Sequence, residues 1–464
     1  MHVICGENVC KKHVFHSKRV FGMKIERDII SQLAEWKDVS IHKPVLIKGA
    51  RQIGKTWVMH EFGRRCFKHV AEFNFDRVDE LHSIFAGNKD INRIIKELSA
   101  ISDVPIIPGE TLIIFDEIQE SEHALNCLKY FCEDAPEYHV VAAGSLLGVA
   151  VRKKSMTVPV GKVRIMRMYP MSFSEYLRAA DLSIWEKISQ ISRIAELPEL
   201  IFNKLMLEYR RYMVCGGMPE AALAMINNEG KGAVDNALQD ILDMYELDFS
   251  KYASPIEVTR INAIWRSLPS QLSKENRKFV YNVVRSGARA RDYEDALIWL
   301  EEAGLIYKVQ DVSKPGIPLS AYCETNAFKV YASDCGLLRR MARIPAEAFV
   351  SDVSGFTEFK GAMAENAVLL SLIKQFDTQP YYWTSGNMAE VDFVVQMETE
   401  VVPIEVKAER NTKSKSLSVY NDKYKPNIRI RYSANNLKFS DGMLCCPLPM
   451  VDFTHWLMNL ANKL

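Results

Sequence analysis

The sequence predicts an α/β chain: a parallel sheet covered by helices at the front, a largely helical middle, and a smaller α/β unit at the end. Three observations predict it. From Val45 to Tyr169, short β-rich runs alternate with helical stretches. A glycine-rich loop of the phosphate-cradling type separates the first such run from its helix. From about Gly361, a helix is followed by the strand-like runs YYW, EVDFVVQ and VVPIEVKA.

Helical periodicity begins only after Met23, where Ile25, Ile29, Ile30, Leu33 and Trp36 form one apolar stripe. Residues 1–22 therefore read as a disordered leader or an over-extended gene start. Cys5, Cys10, His13 and His16 within them are either a zinc-ligand pattern or a plain polar leader. Then follow the strand VLIKG, a helix from Lys55, the strands HVAEFNF and LIIFD, a helix through Leu125 to Glu133, and the strand HVVAAG. VRIMRMYP reads as one more strand and MSFSEYLRAA as an amphipathic helix. From about Leu182 to Tyr252 the pattern is helical, broken by the turn VCGGMPEA, which suits a lid or connector. Residues 255–345 hold three helical stretches, then LIYKVQDV and a Pro/Gly turn at Pro315 to Pro318, a winged-helix-like order. The expected division is 1–22, 23–181, 182–254, 255–350 and 351–464.

Composition sets the bounds. At 464 residues the chain suits two to four domains of about 150 residues each. With 48% hydrophobic and 25% charged residues it is of the ordinary globular class. A net charge of +1 gives no overall field for nucleic acid, so any such contact needs a local basic patch. The ten cysteines form no C-x-x-C pair, and the adjacent Cys445 and Cys446 cannot form an ordinary unstrained disulfide, so reduced thiols and a cytoplasmic location are expected. No apolar run approaches the roughly 20 residues that span a bilayer, and residues 1–22 lack a signal-peptide core, so no membrane partner is expected.

GARQIGKT at 49–56 matches G-x-x-x-x-G-K-[ST], a pattern that average residue usage produces by chance in roughly 2 of 100 chains of this length. With an apolar strand before it and a helix after it, backbone N–H groups and the helix N-terminus face the phosphates. Gly49, Ala50, Arg51, Gln52, Ile53, Gly54, Lys55 and Thr56 form the expected nucleotide cradle. Lys55 would reach the β- and γ-phosphates, and Thr56 would give its hydroxyl to Mg²⁺. LIIFDE at 112–117 ends a buried strand in Asp116, a second Mg²⁺ ligand, and Glu117, a base for the attacking water. Ser145, ending HVVAAGS, is placed to sense the γ-phosphate or hold that water; a small-residue turn is the plain reading. Arg152, Arg164 and Arg167 are unranked candidates for an arginine finger acting on a neighbouring copy.

Together, KGARQIGKT, IIFDEIQE, AAGSLLG and MYPMSFSEYL resemble a large prokaryotic family of AAA-superfamily ATPases with a conserved C-terminal domain of unknown function. YMVCGGMPEA, WLEEAGLIYKV and FKVYASDCGLL are similar to its downstream blocks, so the resemblance runs through nearly everything from Met23 onward. It implies a P-loop NTPase fold and ATP binding, and no particular biological role. One departure is Gly161-Lys162, where that pattern has Gly-Arg.

The last unit resembles the restriction-endonuclease-like fold, whose pattern is an acid on a helix, an acid on a strand and E-x-K on the next strand. Here these are Glu365, Asp392, Glu405 and Lys407. Side chains at i and i+2 of a strand share a face, so Glu405 and Lys407 belong together. Asp392 and Glu405 would hold a second Mg²⁺, and Lys407 would polarise phosphate or water. A solvated edge-strand face, or such a fold without activity, fits the same residues. Residues 407–431 carry eight basic and two acidic residues, with Tyr420 and Tyr424 among them, a patch suited to double-stranded DNA or simply a solvated face. The stretch DYEDALIWLEEAG at 292–304 carries five acids that DNA would repel, and its Ala296, Leu297, Trp299 and Leu300 read as core.

Three functions follow: an ATP- and Mg²⁺-dependent ATPase coupling nucleotide state to a C-terminal effector module; an ATP-regulated Mg²⁺-dependent nuclease or DNA-binding protein; or a non-hydrolysing ATP-binding interaction protein. The partners expected are ATP, double-stranded DNA through residues 407–431, and a protein partner or a second copy of the chain.

Overall fold

The computed structural model describes residues 25–463 apart from 40–41, 150–158, 160, 275–276, 351–356, 377, 387 and 411–414. The leader 1–22 with its Cys/His pattern, Arg152, and Lys413 of the basic patch lie outside the described residues.

The front of the chain is a five-stranded sheet of β1 (Val45–Lys48), β2 (His69–Asn74), β3 (Thr111–Asp116), β4 (His139–Gly144) and β5 (Arg164–Arg167), in the order β2-β3-β4-β1-β5. All four pairings are parallel. Parallel strands need helical crossovers, which cover both faces. β3 and β4 are accordingly buried at every position. The expected helices are present at Lys55–Cys66, Glu122–Asp134 and Phe173–Ala180. Two more, Glu80–Ala86 and Ile91–Ile101, occupy the stretch between β2 and β3 that the sequence reading leaves unassigned. The second has a legible start: Asp90 caps it by accepting from Asn92 N, and Ile91, Ile94, Ile95 and Leu98 form its buried stripe.

Four helices, Leu182–Ser189, Glu199–Cys215, Pro219–Ile226 and Lys231–Tyr252, fill the middle of the chain, with Gly216 at φ 70 in the expected turn. Helices Pro255–Leu272, Tyr281–Val284 and Ala290–Glu302 follow. In the last of these Ala296, Leu297, Trp299 and Leu300 are buried, as their spacing predicts.

The second sheet has eight strands: β6 (Ile306–Val312), β7 (Cys323–Ala332), β8 (Tyr381–Thr384), β9 (Glu390–Met397), β10 (Glu400–Val406), β11 (Arg429–Ser433), β12 (Lys438–Ser440) and β13 (Met443–Pro447). Their order is β12-β13-β11-β10-β9-β8-β6-β7. The hairpin β6–β7 pairs through β6 with β8, Asp311 opposite Tyr382 and Val312 opposite Trp383. The sheet thus takes strands from both sides of residue 350, with β6 lending its second edge to β8. Helix Thr357–Leu372 covers this sheet, and the final helix is Thr454–Ala461. No helix among the described residues is long and apolar enough to cross a membrane.

A stacked imidazole pair lies in the front core. His42 and His139 rings are 3.9 Å apart, and Trp36 meets both edge-on. Burial, then the neighbouring His42, pushes the His139 imidazole from 6.5 down to about 4. The unfolded chain thus binds a proton that the folded chain refuses, and stability falls as pH drops from 6.5 toward about 4. We expect the urea midpoint of His139→Phe to fall less steeply than that of the unaltered protein across this window. Equal slopes would remove His139 from the acid response.

Candidate functional site

β1 lies inside the sheet between β4 and β5, so its carboxyl end opens into the crevice where ligands of such sheets bind. The chain leaves it through Gly49 to Gly54, and helix Lys55–Cys66 begins at once. The turn requires glycine in two ways. A Cβ on Gly49 would sit 2.2 Å from Met168 O, and Gly54 has φ 90. Lys55 is buried, and its ammonium donates to the carbonyls of Gly49 (3.1 Å) and Ala50 (2.7 Å). Burial draws Lys55 down to about 8, against the pull of Glu117 and Asp116.

Thr56 and Asp116 stand 60 positions apart in sequence, yet Thr56 Oγ1 donates to Asp116 Oδ2 at 2.9 Å. Asp116 is buried, and burial raises its carboxyl above the usual range against the Thr56 hydrogen bond. Glu117 has φ 51, a turn that swings its side chain across the sheet end to β4. There it accepts from Ser145 Oγ (3.2 Å), Ser145 N (3.3 Å) and Gln119 Nε2 (2.6 Å). Ser145 therefore holds the Glu117 carboxylate. Arg164 and Arg167 are exposed on β5, and Lys162 pairs with Glu133 at 2.8 Å.

Three segments outside the motif meet the loop. Arg27, buried, donates to Ile53 O (2.9 Å), Tyr169 O (2.7 Å) and Glu175 Oε1 (3.0 Å). Arg51 pairs with Asp248, and Tyr245 OH donates to the Arg51 carbonyl at 2.8 Å. A Cβ on Gly304, at the end of helix Ala290–Glu302, would sit 3.4 Å from Ala50 N. Sequence reasoning missed Arg27, Gln119, Tyr245 and Asp248. The only local signal among them is Ser172 with Glu175, a capping box three residues apart, which leaves Glu175 facing Arg27.

Three of the four C-terminal candidates, Asp392, Glu405 and Lys407, come together, and Glu365 stands apart from them. The register that sets Ile404 opposite Phe393 brings Asp392 beside Glu405, and Asp392 Oδ2 accepts from Val406 N at 2.8 Å. Glu405 is buried and pairs with Lys407 (3.3 Å) and Arg431 (3.4 Å). Glu365, also buried, pairs instead with Arg277 and accepts from Tyr331 OH at 3.3 Å. Among the described residues, no three His, Cys, Asp or Glu side chains are grouped to hold a metal ion.

Removing a buried guanidinium strands its partner. Arg27→Met should lower the unfolding free energy by about 3–5 kcal/mol, since Glu175 would be left buried without its ion-pair partner and with only Lys374 at longer range. Urea denaturation checks this, and a loss under about 1 kcal/mol would class the pair with weak surface ion pairs.

Residues 41–177 match the AAA domain family, residues 206–348 a domain of unknown function (DUF8612), and residues 360–451 another (DUF4143). No curated protein matches the chain. Among solved structures, the chain is similar to the Walker-type ATPase of Pyrococcus abyssi at 14% identity, over 69% of this chain and 96% of that one, with a TM-score of 0.42. It is similar to the Aeropyrum pernix ORC2 protein at 13% identity, over 69% and 90%, with a TM-score of 0.31. It is also similar to the Thermotoga maritima RuvB Holliday junction branch migration motor at 15% identity, over 61% and 89%, with a TM-score of 0.25. With the parallel sheet, the loop 49–56 and the AAA-domain match in agreement, the front of this chain has the AAA-type P-loop ATPase fold, and two segments of unknown function follow it.

Proposed function

We propose that this chain binds ATP with Mg²⁺, hydrolyses it, and uses its nucleotide state to shift a C-terminal effector module. The observation that carries the reading is the contact of Thr56 with Asp116, because it brings the hydroxyl after Lys55 and the carboxylate ending β3 to one point. Both are hard oxygen donors of the kind Mg²⁺ takes. The cradle suits a phosphate chain: backbone from Gly49 to Gly54 turns tightly, a helix N-terminus follows, and a buried ammonium stands beside it. Thr56 and Asp116 would hold Mg²⁺, which when bound offsets phosphate charge. Lys55 gives up two weak carbonyl acceptors for phosphate oxygens. Glu117, held by Ser145 and Gln119, accepts the proton of the attacking water.

Coupling is supported by what touches the loop. Helix Lys231–Tyr252, the Gly304 turn and Arg27 each meet residues 50–53. From Arg27 the path continues to Glu175, and next to it Ser174 N donates to Asp452 of the C-terminal unit at 2.7 Å. The division into a 23–181 ATPase unit, a 182–254 connector, a 255–350 unit and a 351–464 effector is part of the same proposal, as are contacts with double-stranded DNA or a second copy.

A second reading, a Mg²⁺-dependent nuclease, is favoured by the adjacency of Asp392, Glu405 and Lys407. The ion pairs of Glu365 with Arg277 and of Glu405 with Arg431 count against it, since each carboxylate already has its cation. Mg²⁺-dependent cleavage of DNA that Asp392→Ala abolishes would establish that reading; cleavage indifferent to Asp392→Ala would exclude these residues.

Phosphate release by the unaltered protein, Lys55→Ala and Glu117→Gln, with and without double-stranded DNA, tests the main proposal. We expect Lys55→Ala to lose ATP binding, and Glu117→Gln to bind ATP while turnover falls by about a hundredfold or more. Stimulation by DNA would join the ATPase to nucleic acid, and indifference would point to a protein-directed switch. Unchanged turnover in both variants would refute hydrolysis at this site.

A further inference from the structure

Helix Lys231–Tyr252 spans both halves of the cleft without supplying a residue to the proposed chemistry. On the loop side, Asp248 Oδ1 pairs with Arg51 Nη1 at 2.5 Å, Tyr245 OH holds the Arg51 carbonyl, and Gln52 Nε2 reaches Met244 Sδ at 3.3 Å. On the far side, Tyr252 OH donates to Glu120 Oε1 at 2.8 Å, and Lys251 stands 3.6 Å from the same oxygen. Asp248 is buried, and its second oxygen, Oδ2, has no hydrogen-bond partner. A carboxylate thus sits out of water beside a loop shaped for phosphate, and its cation belongs to that loop.

We propose that the Arg51–Asp248 pair is a latch that bound nucleotide opens. The inference rests on the nucleotide-binding reading above and concerns the regulation of that site. A phosphate chain along residues 49–56 offers Arg51 oxygens that a guanidinium can grip in pairs, whereas Asp248 engages it through Oδ1 alone. Once Arg51 turns to phosphate, Asp248 is left buried without its ion-pair partner, with only the exposed Lys251 at longer range, and faces further negative charge. The relief is a loosening of the 244–252 end of the helix from the loop, with Tyr245 and Phe249 kept in the core against Trp265 and Trp299.

The other end of the helix can transmit that movement. Asp235 pairs with Arg339, and Gln239 Oε1 accepts from Arg340 Nε at 3.0 Å. Both arginines lie on helix Cys335–Met341, which follows β7 of the second sheet. Linkage is reciprocal, so whatever nucleotide takes from the latch, the latch takes from nucleotide affinity.

The test uses the full chain. Amide hydrogen exchange of segments 49–56 and 244–252 is followed with and without Mg·ADP and a slowly hydrolysed ATP analogue, and a fluorescent ADP analogue is titrated into the unaltered protein and Asp248→Asn. We expect nucleotide to slow exchange in 49–56 and to speed it in 244–252, and Asp248→Asn to bind the fluorescent ADP about tenfold more tightly. Slower exchange in 244–252 alongside a protected loop would overturn the latch alone and make the helix a closing lid. Equal or weaker binding by Asp248→Asn would also overturn it. No nucleotide-dependent protection of 49–56 would overturn the nucleotide reading and the latch with it. The exchange arm needs no variant, so it stands even if Asp248→Asn folds poorly.

Discussion

A guanidinium removed from water needs an acceptor for each of its donor edges, and Arg27 meets that demand by drawing three distant segments together. It takes a carbonyl from the phosphate loop, a carbonyl from the chain just past β5, and a carboxylate from helix Phe173–Ala180. Glu175, the carboxylate, spends its remaining capacity on Ser172 N and Asp28 N, so one ion pair caps two helices and fixes their relation to the loop. The C-terminal unit docks on the same seam: Asp452 accepts from Ser174 N, and Lys374 donates to Pro170 O at 3.0 Å. The loop's outer backbone is thus set by a residue outside the motif.

Within the cleft, charged groups are balanced against one another and against backbone dipoles. Lys55 is buried near two carboxylates, burial pulls it down to about 8, and its ammonium donates to the carbonyls of Gly49 and Ala50. Asp116 is held from above by Thr56 and from its own turn by Glu117 N at 3.1 Å. Glu117 is turned to the neighbouring strand, where Ser145 and Gln119 hold both its oxygens. Thr56 holds Asp116, and Ser145 with Gln119 holds Glu117, so the fold itself orients both carboxylates.

The C-terminal sheet follows a different logic. The carboxylates around it are matched to cations: Arg277, which follows helix Pro255–Leu272, reaches Glu365 on helix Thr357–Leu372, and Arg431 on the adjacent strand β11 reaches Glu405. Two of the eight basic residues in 407–431, Lys407 and Arg431, thereby serve Glu405. A third, Lys423, lies over the rings of Trp383 and Tyr424. The positive run read in sequence is in part internal bookkeeping of charge.

The sequence by itself determined the phosphate loop, the strands of the first sheet and the helices at Lys55–Cys66, Glu122–Asp134 and Phe173–Ala180, but not the two helices between β2 and β3. Strands buried on both faces must be continuously apolar, a loop wrapped on phosphate needs glycine where a Cβ would strike Met168 O, and the loop precedes its helix directly. These are local constraints, and local sequence records them. Asp116 and Glu117 were legible for the same reason, standing at the end of an apolar strand. Only the tertiary structure decided which charges meet. Arg27 with Glu175, Arg51 with Asp248, and Glu365 with Arg277 are separated by about 90 to 200 positions, and any carboxylate on a suitable surface could have filled each role. It also decided that β6 joins β8, because strand pairing is backbone hydrogen bonding, and the residues on an edge strand do not name the partner that completes it.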